Sequence, residues 1–134
     1  MAGRHTVYMA HITHKILACP ACEKKMRVRV YDSVNVSIEP KLRELILSDR
    51  IHRFDCSQCG HPVVVETTML YHDMGYGFAA WFLPGGSAKD ITALRASFDG
   101  TQPLYIEHAP IATDWETFKR TILDIERRTA AWEP

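Results

Sequence analysis

The chain has no apolar run approaching the ~20 residues that a membrane-crossing helix needs. Met1 to Ile16 also lacks the long apolar stretch of a secretory leader. Both absences predict a cytoplasmic protein, in a compartment where thiols stay reduced. Net charge is missing too, because sixteen Lys and Arg balance sixteen Asp and Glu, which leaves little bulk attraction for a polyanion. No serine or cysteine nucleophile motif and no glycine-rich phosphate loop occurs. Cysteine is scarce, and none of the four falls outside two pairs of equal spacing.

Those pairs are Cys19-Pro20-Ala21-Cys22 and Cys56-Ser57-Gln58-Cys59, the second followed by Gly60 and His61. Two thiolates three residues apart grip one ion from a single tight turn, and two such turns complete a tetrahedron with sulfur at roughly 2.3 Å from zinc. The pattern therefore predicts one structural zinc ion per chain on Cys19, Cys22, Cys56 and Cys59. Such a site is closed and leaves no position for a substrate. Pro20 suits the tight turn, and Gly60 suits the left-handed position that follows a second cysteine. At the first pair that place is taken by Glu23, which implies strain or a different closure. The residues between the pairs, 23–55, form a 33-residue insertion that one shared ion would close.

With 134 residues, 46% hydrophobic and 24% charged, the chain has the composition of one globular domain rather than a disordered segment. Its charge is unevenly spread. Residues 1–53 carry a net charge of +5 and residues 54–134 a net charge of −5. Lys24, Lys25, Arg27 and Arg29 follow the first pair, and Arg50 and Arg53 precede the second. This cluster has two readings: compensation of four thiolates around one divalent ion, or a face that contacts a partner or a phosphate backbone.

Met26, Val28 and Val30 alternate with Arg27, Arg29 and Tyr31, the period of a half-buried strand with a basic outer side. An irregular strand over Thr6 to Ala18 is expected before it, and a second extended segment over Val34 to Ile38 after it. Pro40 and the stripe Leu42, Leu45, Ile46 predict a short helix over 40–48. Ile51 to Phe54 and Val63 to Glu66 read as strands flanking the second metal turn. Thr68 to Leu83 reads as an aromatic β-hairpin turning at Asp73-Met74-Gly75, with Gly75 supplying the unusual dihedral. Ser87 and Asp90 cap a helix carrying Ile91, Leu94, Arg95 and Phe98 and ended by Asp99-Gly100, and Leu104 to His108 reads as a strand. Thr113 and Glu116 form a capping-box pattern for a final amphipathic helix to about Ala131, with core positions Trp115, Phe118, Ile122 and Ile125.

The seven histidines offer little catalytic pattern. His61 stands beside the second metal turn, where it hydrogen-bonds a thiolate or simply starts a strand. His72 and Asp73 suggest a base with an orienting carboxylate, but neighbours on a strand point to opposite faces. His5, His11, His14, His52 and His108 have no partner pattern. Cys19-Pro20-Ala21-Cys22 also fits a thiol-redox motif, yet such motifs normally open a helix, and here a strand pattern follows. An iron–sulfur cluster is a further reading of the same four thiols. Base stacking has one aromatic on the basic strand, Tyr31. The aromatic hairpin and the final helix, with Trp132 near its end, read as core or, where exposed, as a docking patch.

From Cys19 to Gly86 the chain resembles the prokaryotic CpXC domain family. The matching runs are Cys19 to Cys22, Tyr31 to Val36, Pro40 to Leu42, Phe54 to His61, Leu70 to Met74 and Trp81 to Pro84. The resemblance implies a zinc-ribbon-like domain of similar length, matches Asp90 to Gly100 only loosely and does not place the terminal helix; the expected organisation is one domain over 1–134, best matched over 16–86, with the helix over 113–131 packed on it. It assigns no activity and gives His72 and Asp73 no role; Glu23 departs from the Cys-x-x-Cys-Gly form of the family. The expected fold is α+β, an antiparallel sheet containing a zinc ribbon, with a few short helices and the C-terminal amphipathic helix. The expected function is a non-enzymatic module that binds a macromolecular partner, foremost a protein, as an accessory or regulatory subunit. Nucleic-acid binding through Lys24, Lys25, Arg27 and Arg29 is the alternative, followed by an enzyme acting through the dithiols or the His72–Asp73 hairpin.

Overall fold

The computed structural model describes residues 10–132, with side chains through Thr129. His5, the part of the expected first strand over 6–9 and the side chain of Trp132 lie outside the described residues. Strand β1 (His11–Ala18) pairs antiparallel with β2 (Lys25–Asn35). As the alternation predicts, Met26, Val28 and Val30 are buried while Lys25, Arg27 and Arg29 are exposed. Residues directly opposite share a face, so Ile16 stands beside Arg27 and His14 beside Arg29 on the outer side.

The two extended segments expected over 26–38 are one strand and a turn. β2 runs unbroken through Asn35, and Val36 to Ile38 then turn, with Ile38 and Glu39 donating to the Asn35 carbonyl at 3.2 and 3.0 Å. Pairing shifts between His11, opposite Ser33, and Ile12, opposite Tyr31, which makes Asp32 the extra residue of a β-bulge. Its carboxylate accepts from the Thr13 hydroxyl and lies 2.9 Å from His11 Nδ1. Beyond the bulge β2 changes neighbours and pairs parallel with β5 (Met69–Asp73) from Ser33 to Asn35.

β5 and β6 (Phe78–Phe82) form the expected hairpin. The left-handed residue in its turn is Gly77, at φ 67°, and not Gly75. β6 then pairs parallel with the two-residue β7 (Ile111–Ala112), giving the order β1-β2-β5-β6-β7. The fold is α+β as expected, but the sheet is mixed: two of its four pairings are parallel. A separate antiparallel ribbon, β3 (Arg53–Asp55) with β4 (Pro62–Val64), carries the second cysteine turn.

Four helices complete the fold of the described residues. α1 (Lys41–Leu47) buries Leu42 and Ile46, the stripe read in the sequence. α2 (Ala88–Ala96) has the Ser87–Asp90 capping box, yet it buries no residue and ends before Phe98; Phe98 packs on Trp81 instead. α3 (Leu104–Glu107) is a single helical turn where a strand was expected. Pro103 enters it, His108 N–H closes it on the Leu104 carbonyl at 2.9 Å, and Ile106 is its buried contact. Four residues are too few for a period to reveal which regular state they adopt.

α4 (Trp115–Trp132) carries the expected stripe, with Phe118 and Ile122 fully buried against Tyr71 and Phe82 of the hairpin. Its first turn is capped by Asp114, whose Oδ2 accepts from Thr117 N–H at 2.9 Å, one position later than the Thr113–Glu116 box. Arg43 of α1 donates to both carboxylate oxygens of Glu126, at 2.8 and 2.9 Å. Trp115 Nε1 and Lys119 Nζ both donate to Asp49 at 2.7 Å. Hydrogen bonds from Lys119 and then Trp115 hold the Asp49 carboxyl below the usual carboxylate range. Among the described residues no helix is long and apolar enough to cross a membrane.

Truncating the contact between α4 and the sheet should be costly. Phe118→Ala should lower stability by about 3–5 kcal/mol, while Leu123→Ala, on the exposed side of the same helix at 40% exposure, should cost less than half of that. Urea midpoints of the two variants against the parent check this; equal losses would contradict the packing described.

Candidate metal centre

Each cysteine pair is built by the same backbone turn. In the first, Glu23 N–H donates to the Cys19 carbonyl at 2.8 Å and Cys19 N–H to the Lys24 carbonyl at 2.9 Å. In the second, Gly60 N–H donates to the Cys56 carbonyl at 2.8 Å and Cys56 N–H to the His61 carbonyl at 2.9 Å. Within the turns Ala21 N–H points at Cys19 Sγ and Gln58 N–H at Cys56 Sγ, both at 3.4 Å. Glu23 at φ 65° occupies the position of Gly60 at φ 77°. The first turn thus closes like the second, and Glu23 carries the strain of a left-handed conformation, roughly 1–2 kcal/mol for a residue with a Cβ.

The two turns meet. Cys19 Sγ lies 3.6 Å from Cys59 Sγ, and Cys22 Sγ lies 3.6 Å from Cys56 Sγ. All four Sγ atoms are within 4.8 Å of one another. A tetrahedron with ~2.3 Å metal–sulfur bonds has edges of about 3.8 Å, so the observed spacings fit four ligands around one metal ion. Apolar groups pack against the turns: Met26, Val28 and Val30 of β2 are buried with Cys19 and Cys56, and the partly buried Phe54, Val63 and Val65 lie against them.

Cys56 and Cys59 are shifted in opposite directions. Backbone N–H groups of Cys59 and Gln58 lower the Cys56 thiol to about 6. At Cys59 the His61 N–H pulls in the same direction, but burial and the neighbouring Cys22, Cys19 and Cys56 sulfurs outweigh it and push the thiol up to about 12. Four thiolates at this spacing repel one another, and a divalent cation removes that penalty. His61 acts through its backbone; its side chain is exposed. The closest sulfurs lie across the two turns rather than within one motif, and a strand follows Cys22 where a redox dithiol normally has a helix.

The remaining candidates are spread over the fold. Lys24, Lys25, Arg27 and Arg29 are all exposed beside the metal centre. His72 and Asp73 are adjacent on β5 and serve separate partners: His72, 1% exposed, meets the Tyr105 hydroxyl, while Asp73 Oδ1 accepts from Tyr76 N–H at 3.1 Å. The structure does not bring the two together. His14 and His108 are exposed. His52 has a role its sequence pattern hid: its Nε2 accepts from Tyr31 N–H at 2.9 Å. Burial holds it well below the ordinary value of 6.5, at about 4, so it is neutral and able to accept near pH 7.

Backbone strain in the two turns is open to test. A Cβ on Gly60 meets no atom within 4 Å, so Gly60→Ala should cost only its left-handed conformation, about 1–2 kcal/mol. Glu23→Gly should move stability the other way by a smaller amount, because the glycine also loosens the unfolded chain. Denaturation of the metal-loaded variants checks both signs; a gain from Gly60→Ala would contradict the turn geometry.

A family model described as CpXC protein matches residues 17–126, extending past the runs that carried the resemblance into most of α4. No curated protein and no solved structure matches the chain. With the match spanning most of its length and both Cys-x-x-Cys turns meeting at one point, the chain belongs to the CpXC protein family.

Proposed function

We propose that the four cysteines hold one structural zinc ion and that the chain is a non-enzymatic module, an accessory or regulatory subunit that binds a protein partner in a reducing, cytoplasmic setting. The observation that carries this reading is the convergence of four Sγ atoms within 4.8 Å from two turns separated by a 33-residue insertion. Zinc suits an all-thiolate tetrahedron and brings no redox chemistry. Four protein ligands complete its coordination, so the metal anchors the ribbon rather than activating a substrate.

The exposed side of β2 is the surface that best fits a partner. Lys25, Arg27 and Arg29 stand there in a row beside Lys24, and Ile16, opposite Arg27, is 73% exposed. A surface that mixes cations with an aliphatic side chain suits a protein. Nucleic acid is the second reading, favoured by the same four cations. It lacks a stacking platform, because Tyr31 is half-buried and stacked on His52 with ring centroids 6.4 Å apart.

Elemental analysis should give one zinc per chain, with thiols that react only after chelation; half that zinc, or iron in its place, would overturn the assignment. Lys25→Glu with Arg27→Glu should keep the zinc and abolish partner capture. A salt-dependent shift of mixed-sequence oligonucleotides by the parent, lost in this double variant, would place nucleic acid ahead of protein.

A further inference from the structure

The β1–β2 ladder leaves one edge of β2 open. Cys19 N–H donates to the Lys24 carbonyl, so in antiparallel phase the backbone groups of residues 24, 26, 28 and 30 point at β1. Those of Lys25, Arg27 and Arg29 point the opposite way. Tyr31 N–H, in the same phase, is taken by His52, and β5 joins this edge only from Ser33 onward. Between Lys25 and Arg29, among the described residues, no strand pairs with it.

Along the open edge runs a groove of about 470 Å³. Lys25, Met26, Arg27 and Val28 form one wall, and Arg53, Phe54, Asp55 and Ser57 the other. Three cations against one carboxylate give the groove an excess of positive charge. Its apolar members are Met26 and Val28, which point inward, and Phe54.

We propose that this edge takes up an extended acidic peptide segment of a protein partner as an added strand of the sheet. The inference rests on the protein-partner reading above and specifies the partner's chemistry. An added strand aligns its side chains with the two faces of β2. Acidic residues at every second position then meet Lys25, Arg27 and Arg29, and aliphatic residues between them face Met26, Val28 and Phe54. Main-chain hydrogen bonds to the open amides and carbonyls supply affinity, and the charge row supplies specificity. A peptide uses both donors and acceptors of such an edge, whereas a phosphate backbone uses donors alone.

The probe is a blocked heptapeptide of alternating Glu and Val, titrated into the metal-loaded full chain and followed by amide NMR. It should shift the Lys25, Arg27 and Arg29 amides and bind at least ten-fold more tightly than a peptide of the same composition with its Glu residues in one block. Two further peptides, N-methylated on every Glu or on every Val, distinguish a strand from a charge cloud. Only one set of amides faces β2, so one methylated peptide should lose binding ten-fold or more and the other should retain it. Lys25→Glu with Arg27→Glu, compared at equal metal content, should abolish binding, while Arg120→Glu with Arg127→Glu on α4 should not.

Equal binding of both methylated peptides, equal binding of the block peptide, or no binding of the alternating peptide overturns strand addition and leaves a protein partner held in another way. Tighter binding of a mixed-sequence oligonucleotide, lost in the β2 double variant, overturns both this inference and the protein-partner reading.

Discussion

Four sulfur atoms brought to one point are the constraint on which the cysteine-bearing half of this fold depends. The β3–β4 ribbon has three residues in each strand, too short to stand alone in water. It is held by the turn that Cys56 and Cys59 make and by Phe54, Val63 and Val65 packing under β2. Closing a 33-residue insertion costs on the order of 3 kcal/mol in chain entropy, comparable to what one small hydrophobic cluster returns. An ion held by the four converging thiols would supply that closure directly and fix the position of β3 beside β2, and with it the groove along the open edge.

The other half is organised differently. Tyr71, Phe82, Phe118 and Ile122 build a core between the hairpin and α4 that includes no cysteine. Arg43 to Glu126 and Asp49 to Trp115 and Lys119 tie α1 and the turn after it onto α4. β2 joins the two halves: its first part pairs with β1 above the metal centre, and beyond the Asp32 bulge it enters the central sheet beside β5. His52, neutral and buried, occupies the one edge amide of β2 nearest that junction, which ends the open edge at Tyr31.

Much of this was legible in the sequence where chemistry acts over a few residues. Cysteine spacing picked out the four residues whose thiols converge, period-two alternation marked β2, the period of three and four marked α4, and Ser87 with Asp90 marked the cap of α2. What was hidden depends on neighbours distant in the chain. The bulge at Asp32 disguised one strand as two, because the polar Asp32-Ser33 stretch interrupts the apolar alternation there. Leu104 to Glu107 is too short to show a period. The hairpin glycines stand two apart, and only the turn geometry selects Gly77 over Gly75. The open edge of β2 could not be read at all, since whether a strand has a neighbour is a property of topology. Lys25, Arg27 and Arg53 were visible as members of one cation cluster, but the groove across which they face one another, with Phe54 in its wall, exists only through the fold.

Hydrogen exchange of the full chain, with and without stripping of the bound metal, tests most directly whether the thiol cluster holds the ribbon in place. On stripping, the amides of Cys19, Cys56, Gly60 and Val65 should lose protection, while those of Phe118 and Ile122 in α4 remain protected. Unchanged protection at Cys56 and Val65 in metal-free chain would contradict the account.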